Sequence, residues 1–244
     1  MSMEILTLRN VSFSSQSNNI IKSVNLDIEE EKTTAFVGPS GCGKSTLLKL
    51  IAGLILPTAG EVYYRGKNIA AMSRIQNLEF RRESAFVFQD SALWANQDLQ
   101  QCLELPLRIH FPEMSVHERE QRVKEVVTAV GYKRSLDIRP SSLSMGEQKL
   151  IAFARAMICR PTLLFLDEFA ESLDDNATNR LISLVKERKV NNNTIIIVSH
   201  DMRIIRNLAD YVYMLMEGNI YTRMNPDQIA NERELLELLE KGLS

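Results

Sequence analysis

The segment Gly38-Pro39-Ser40-Gly41-Cys42-Gly43-Lys44-Ser45 stands directly behind an apolar run, residues 34–37, and directly ahead of Thr46-Leu47-Leu48-Lys49-Leu50-Ile51. A strand that breaks into a glycine-rich curl and re-emerges as a helix constrains the fold more than any other feature of the chain. Its glycines let successive backbone N–H groups turn inward on an anion. The new helix adds the positive end of its dipole at the same place. In such a cradle Lys44 is placed to reach β- and γ-phosphate oxygens, the Ser45 hydroxyl to ligate Mg²⁺, and Thr46 to sit at an α-phosphate. The plain alternative is a glycine-rich strand-to-helix turn without a ligand, and the flanking strand and helix weigh against it.

A cradle of this kind needs a covered parallel sheet, and the chain can supply one. Its 244 residues are 45% hydrophobic and 25% charged, which is ordinary for a soluble globular chain. That length suits one large domain, or one domain with an inserted lobe. Disorder, collagen and a disulfide scaffold are excluded. With 29 basic and 31 acidic residues the net charge is 29 − 31 = −2, so there is no basic excess for a nucleic-acid partner. Cys42, Cys102 and Cys159 are scattered and odd in number, which fits a reducing, cytoplasmic setting. No apolar run approaches the roughly 18 residues of a membrane span. Met1-Ser2-Met3-Glu4 lacks the basic flank of a secretion signal. Work at a membrane is therefore expected from the cytoplasmic face, through a partner.

Apolar, β-branched runs recur at residues 34–37, 85–88, 163–166, 194–198 and 211–216, with helical patterns at 46–54, 147–158 and 176–189. This alternation predicts an α/β fold with a parallel sheet covered on both faces. Residues 3–28 and 62–69 alternate apolar and polar, predicting antiparallel strands beside the main sheet. Residues 91–143 carry no strand pattern and are read as an inserted helical lobe. There Ser115 and Glu118 form a capping box ahead of a helix whose Val116, Val123, Val126, Val127 and Val130 share a face. A further helix is expected over about 226–241, with Pro226 at its first position and Gly242 just past its end.

Four polar residues close apolar strands: Gln89, Asp167, Glu168 and His200. Parallel sheets bind ligands at the carboxyl ends of their strands, where the cradle also lies. Asp167 is placed to hold Mg²⁺, and Glu168 to polarise a water attacking a γ-phosphate. Leu143-Ser144-Met145-Gly146-Glu147-Gln148 opens an amphipathic helix, and Ser144 with Glu147 is itself a capping box.

The ordered set of cradle, Gln89, Leu-Ser-x-Gly-x-Gln, apolar strand with Asp167-Glu168, Ser172-Leu173-Asp174 and His200 resembles the ATP-binding cassette of ABC transporters. The resemblance runs from the Asn10-Val11-Ser12-Phe13 strand to the tail. It implies an ABC ATPase domain of the P-loop NTPase class, with an antiparallel β subdomain and a helical subdomain. It also implies ATP hydrolysis with Mg²⁺ and a head-to-tail dimer of two copies around two nucleotides. In that arrangement Ser144, Gly146 and Glu147 would meet the γ-phosphate held by the other copy. Glu168 resembles the catalytic base, Gln89 the Mg²⁺ and water sensor, His200 the γ-phosphate switch, and Asp174 the loop joining the two sites. The family pattern is broken at Ser15, where an adenine-stacking aromatic usually stands, and at Met145, Glu147, Leu150 and Phe169.

Residues 68–73 and Phe88-Gln89-Asp90-Ser91-Ala92-Leu93-Trp94, with Leu103-Glu104-Leu105-Pro106-Leu107-Arg108, look like the ATPase subunits of Mla- or MCE-type phospholipid transporters. A transmembrane permease is expected to contact the region from Asp90 to Arg108. Cassettes for amino acids, lipoprotein release or peptide export are the nearest alternatives. A soluble ABC ATPase or a P-loop kinase fits less of the pattern.

Overall fold

The computed structural model describes residues 3–16 and 18–224. The helix expected over about 226–241 lies outside them.

Two sheets divide the strands. The first is antiparallel, in the order β2-β1-β4-β5, from β1 (Glu4–Ser15), β2 (Asn18–Glu29), β4 (Ala59–Tyr64) and β5 (Lys67–Asn68). The second has the order β10-β9-β3-β8-β7-β6, from β3 (Thr33–Val37), β6 (Ser84–Val87), β7 (Leu163–Asp167), β8 (Thr194–Val198), β9 (Tyr211–Met216) and β10 (Asn219–Met224). Its five strands from β9 to β6 run parallel, and β10 adds antiparallel at the edge beyond β9. Strands β3, β7 and β8 are buried at every position, which explains why they read as unbroken apolar runs rather than alternations.

Helix α1 (Lys44–Ile51) packs against β2 of the first sheet and β7 and β8 of the second. Its Leu47, Leu48, Leu50 and Ile51 are wholly buried. Burial of each such side chain contributes about 1.5–3 kcal/mol, so the helix behind the cradle is anchored by its own core. It ends at Ile51, three residues before the sequence pattern does, because Gly53 beyond the Ala52 cap takes a left-handed φ of 60°.

On the opposite face lie α3 (Leu99–His110), α4 (Val116–Val130), α5 (Met145–Met157) and α6 (Asp175–Val190), around a second core that includes Leu103, Phe153, Leu166 and Phe169. Between residues 91 and 143 the structure places α3, α4 and a single 3₁₀ turn at Pro140–Ser142. Val123 and Val130 of α4 are buried, but Val116 is 59% exposed, because the first turn overhangs the core. Helix α2 (Arg74–Glu83) and helix α7 (Met202–Leu208) were not legible from apolar spacing. In α2 the Ser73–Gln76 capping box sets the start, and Phe80 is buried while Ile75 and Leu78 face outward.

Candidate active site

The parallel register brings the carboxyl ends of β3, β8, β7 and β6 to one edge of the sheet. Gly38 follows β3 with φ 148°, and a Cβ there would lie 2.1 Å from the Leu215 carbonyl oxygen, so only glycine lets the loop turn away beneath β9. Gly43 has φ 104° at the N-cap of α1, hard against the Ile20 carbonyl. Lys44 Nζ donates to the carbonyls of Gly38 at 2.8 Å and Pro39 at 2.9 Å, folded across the mouth of its own loop. Cys42 is buried behind the loop, and burial raises its thiol above the usual range.

Ser45 Oγ donates to Asp167 Oδ1 at 2.7 Å, and Asp167 is 1% exposed. Burial pushes the Asp167 carboxyl upward, while the Ser45 hydrogen bond and the cations of Lys49, Lys149 and Lys44 pull it down. An oxygen donor set of hydroxyl and carboxylate suits a hard cation such as Mg²⁺. Among the described residues no cluster of three His, Cys, Asp or Glu could hold a metal alone, so an ion here would lean on phosphate oxygens.

Glu168 takes a left-handed φ of 44°, and its N–H donates to the Val198 carbonyl at 3.0 Å. That turn lifts the carboxylate out of the strand line. His200 Nδ1 lies 3.1 Å from Glu168 Oε2. Burial raises the Glu168 carboxyl, opposed by the hydrogen bond from His200. Gln89 Nε2 donates to Glu171 Oε2 at 3.1 Å.

An open cleft of about 690 Å³ is lined by Ser40, Gly41, Gly43, Lys44, Ser45, Thr46, Gln89, Glu168 and His200. Ile20, Glu171 and Val198 complete its walls. Sequence reading missed these three. Ile20 could have been found, since it sits opposite the cradle on β2, but a lone isoleucine carries no motif. No aromatic residue is among the described residues that line the cleft.

Ser144, Gly146, Glu147 and Asp174 do not line this cleft. Ser144 caps α5, with Glu147 N donating to its hydroxyl at 3.2 Å. Glu147 accepts in turn from Ser144 N at 2.9 Å and from Arg134 at 3.1 Å, and these donors hold its carboxyl below the usual range. Asp174 caps α6 by accepting from Ala177 N at 2.8 Å. The first turn of α5 abuts this second cap: Gly146 faces Ser172 and Leu173.

A second cavity, of about 510 Å³, opens between the sheet and the helical lobe. Its walls include Leu54, Phe86, Phe88, Trp94, His110 and Cys159. The window from Asp90 to Arg108 is only partly available to a partner: Leu99, Cys102, Leu103 and Leu107 are wholly buried, while Ala92, Trp94 and Pro106 reach the cavity. Apolar spacing places those four on the core face of α3.

A phosphate cradle and buried carboxylates at the ends of parallel strands define a P-loop nucleotide-binding ATPase. The family model described as ABC transporter matches residues 21–171. The ATP-binding protein MlaF of the Haemophilus influenzae intermembrane phospholipid transport system is 30% identical over 240 residues, covering 96% of this chain and 89% of that protein. The nickel import ATP-binding protein NikE of Shigella flexneri serotype 5b is 34% identical over 209 residues, covering 84% and 78%. A dimeric post-hydrolysis structure of the ATP-binding cassette MJ0796, bound to ADP and Pi, superposes with a TM-score of 0.84 at 29% identity, over 91% of this chain and 99% of that one. The chain belongs to the ABC transporter family, as an ATPase subunit with the family's α/β cassette fold. No helix among the described residues is long and apolar enough to cross a membrane.

Proposed function

We propose that this chain hydrolyses MgATP between two copies of itself and so drives a membrane permease, with phospholipid as the cargo. The observation that carries the hydrolytic part is the convergence of Lys44, Ser45, Gln89, Glu168 and His200 on one cleft at the strand ends.

ATP entering the cleft offers its phosphates to Lys44, which exchanges two loop carbonyls for phosphate oxygens. The N–H groups of residues 40–46 close around the β-phosphate. Mg²⁺ would be held by Ser45, Asp167 and Gln89, and it supplies positive charge that offsets the triphosphate. Glu168 accepts a proton from water as the water oxygen bonds to the γ-phosphorus and the bond to the ADP oxygen breaks. His200, half exposed beside Glu168, is placed to donate to the γ-phosphate once nucleotide separates the pair.

The open side of the cleft needs a lid. Ser144 and Gly146 stand at a capped helix N-terminus outside the cleft, and a second copy turned head to tail would bring that terminus to the γ-phosphate. The dimeric MJ0796 cassette supports this arrangement. Asp174, packed beside the same turn, would pass the contact between sites.

The permease is assigned to the second cavity, whose apolar and aromatic wall suits an amphipathic helical segment. His110 Nδ1, buried without a hydrogen-bond partner, would be completed by a polar group on that segment. Docking there would hold the chain on the cytoplasmic face of the membrane. The phospholipid assignment rests on the similarity to MlaF together with residues 88–94 and 103–108, of which Phe88, Ala92, Trp94 and Pro106 line this cavity. The similarity to NikE makes metal import the competing cargo.

Glu168→Gln is expected to bind MgATP, to lose about 10²–10⁴-fold in turnover, and to sediment as a nucleotide-bound dimer. Parental hydrolysis by that variant would remove Glu168 as the base. For the cargo, mass spectrometry of the complex purified with its permease should find phospholipid; a different bound ligand overturns the assignment.

A further inference from the structure

Lys149 lies on α5 and is 4% exposed, yet no carboxylate among the described residues pairs with it. Its ammonium instead donates to two main-chain carbonyls: that of Gln89, and that of Glu168 at 3.1 Å. These two residues follow different strands, β6 and β7, and both side chains line the nucleotide cleft. A lysine is an uncommon choice for such a buried position, where an apolar side chain would cost less.

We propose that Lys149 is a positioning residue of the hydrolytic site, clasping the main chain at Gln89 and Glu168 so that both side chains are held in working geometry. This rests on the reading of Glu168 as the base.

Three features support the assignment. Glu168 is in the left-handed region, a conformation that a residue with a side chain holds only when its surroundings impose it. Its peptide is pinned on one side by Val198 accepting its N–H, and on the other by Lys149 donating to its carbonyl. The second donation reaches across to Gln89, whose side chain donates to Glu171 in the cleft wall. A three-donor head suits this bridging, because one ammonium satisfies carbonyls from two strands at once. Burial lowers the ammonium, and the charges of Glu171, Glu168, Asp167 and Asp90 oppose that fall.

The clasp acts on alignment rather than on phosphate binding, which falls to the loop of residues 38–45. Removing it should therefore separate kcat from KM. In the full chain, Lys149→Met is expected to lower kcat by about 10²-fold, the cost of a displacement near 1 Å at a reacting group. KM for MgATP, and ATP affinity by fluorescent nucleotide titration, should stay within about twofold. Lys149→Arg, which retains donors to both carbonyls, should recover most of the rate, and Lys149→Gln, with a shorter neutral donor, should fall between. If Lys149→Met does not fold, the Lys149→Gln and Lys149→Arg pair carries the same comparison. A kcat within about twofold of the parent in the neutral variant overturns the proposal. So does a rate loss matched by an equal loss of nucleotide affinity and of melting temperature in every variant, since that is a packing defect. Glu168→Gln run alongside separates the two ideas: hydrolysis there would end the reading of Glu168, whereas its loss beside an active Lys149→Met would end only the role given to Lys149.

Discussion

The nucleotide cleft and the second cavity are built in opposite ways. The cleft is built mainly from one contiguous segment, with six of the seven positions from Ser40 to Thr46, and from Gln89, Glu168 and His200 just past β6, β7 and β8. The second cavity is made of side chains from separated places, with Leu54 just beyond α1, Arg81 on α2, Trp94 ahead of α3 and Cys159 after α5. A backbone cradle recognises a group common to every nucleotide triphosphate. A wall of scattered side chains can change with the partner it meets. Under the function proposed above, hydrolysis falls to one region and the choice of permease to the other.

The separation can be tested by variants that touch one cavity only. Lys44→Ala should have the largest effect. It removes a cation from the phosphates and, at about 1.5–3 kcal/mol for a charged hydrogen bond, should weaken MgATP binding roughly 10–10²-fold in calorimetry. Association with the permease in the absence of nucleotide should be unaltered.

Trp94→Ala should do the reverse. Trp94 is 41% exposed and carries the Arg155 guanidinium 5.0 Å from its ring centroid. Loss of this aromatic anchor is expected to weaken permease capture about tenfold, with nucleotide affinity unchanged. Equal losses in both assays would mean that the cavities are not independent.

Ser15→Tyr supplies a ring at the end of β1, the position where the family resemblance expects an adenine-stacking aromatic. A base stack contributes about 1–3 kcal/mol, so ATP should bind roughly tenfold tighter while GTP and ATP keep a similar ratio. An unchanged dissociation constant would show that Ile20 already covers the base.

The smallest effect concerns Cys159, whose thiol is pushed up to about 11 by burial in the second cavity. A raised thiol stays protonated until the pH climbs toward that value, so only about 10⁻⁴ of it is thiolate at pH 7. Alkylation by iodoacetamide, followed by peptide mass spectrometry, should quicken about tenfold per pH unit. It should slow when the permease is bound. A rate independent of pH between 7 and 9 would contradict the buried environment.

The same contrast explains what the sequence disclosed. The loop of residues 38–45 is contiguous, and each of its features is local: glycines for the curl, a lysine, a hydroxyl, a helix start. Gln89, Asp167 and His200 were visible because each ends an apolar run, and β7 and β8 are buried at every position. Lys149 was not visible. Helix α5 buries residues around most of its circumference, including Ile151, Ala152, Phe153 and Ala154, so no polar face set the lysine apart. Its carbonyl partners are 60 residues upstream and 19 downstream, distances that only the parallel register closes. The second cavity stayed hidden for the same reason. Its residues share no motif, and Leu103 and Leu107, read as part of a contact surface, serve the core.

The central claim is that the amides of one loop grip the triphosphate while a second copy covers the open side. The most direct measurement is a crystal structure of Glu168→Gln grown with MgATP. The expected density places the β-phosphate against the N–H groups of residues 40–46, with Ser144 and Gly146 of a second copy at the γ-phosphate. Nucleotide lying away from that loop, or two copies meeting through another face with the γ-phosphate open to solvent, would contradict the account.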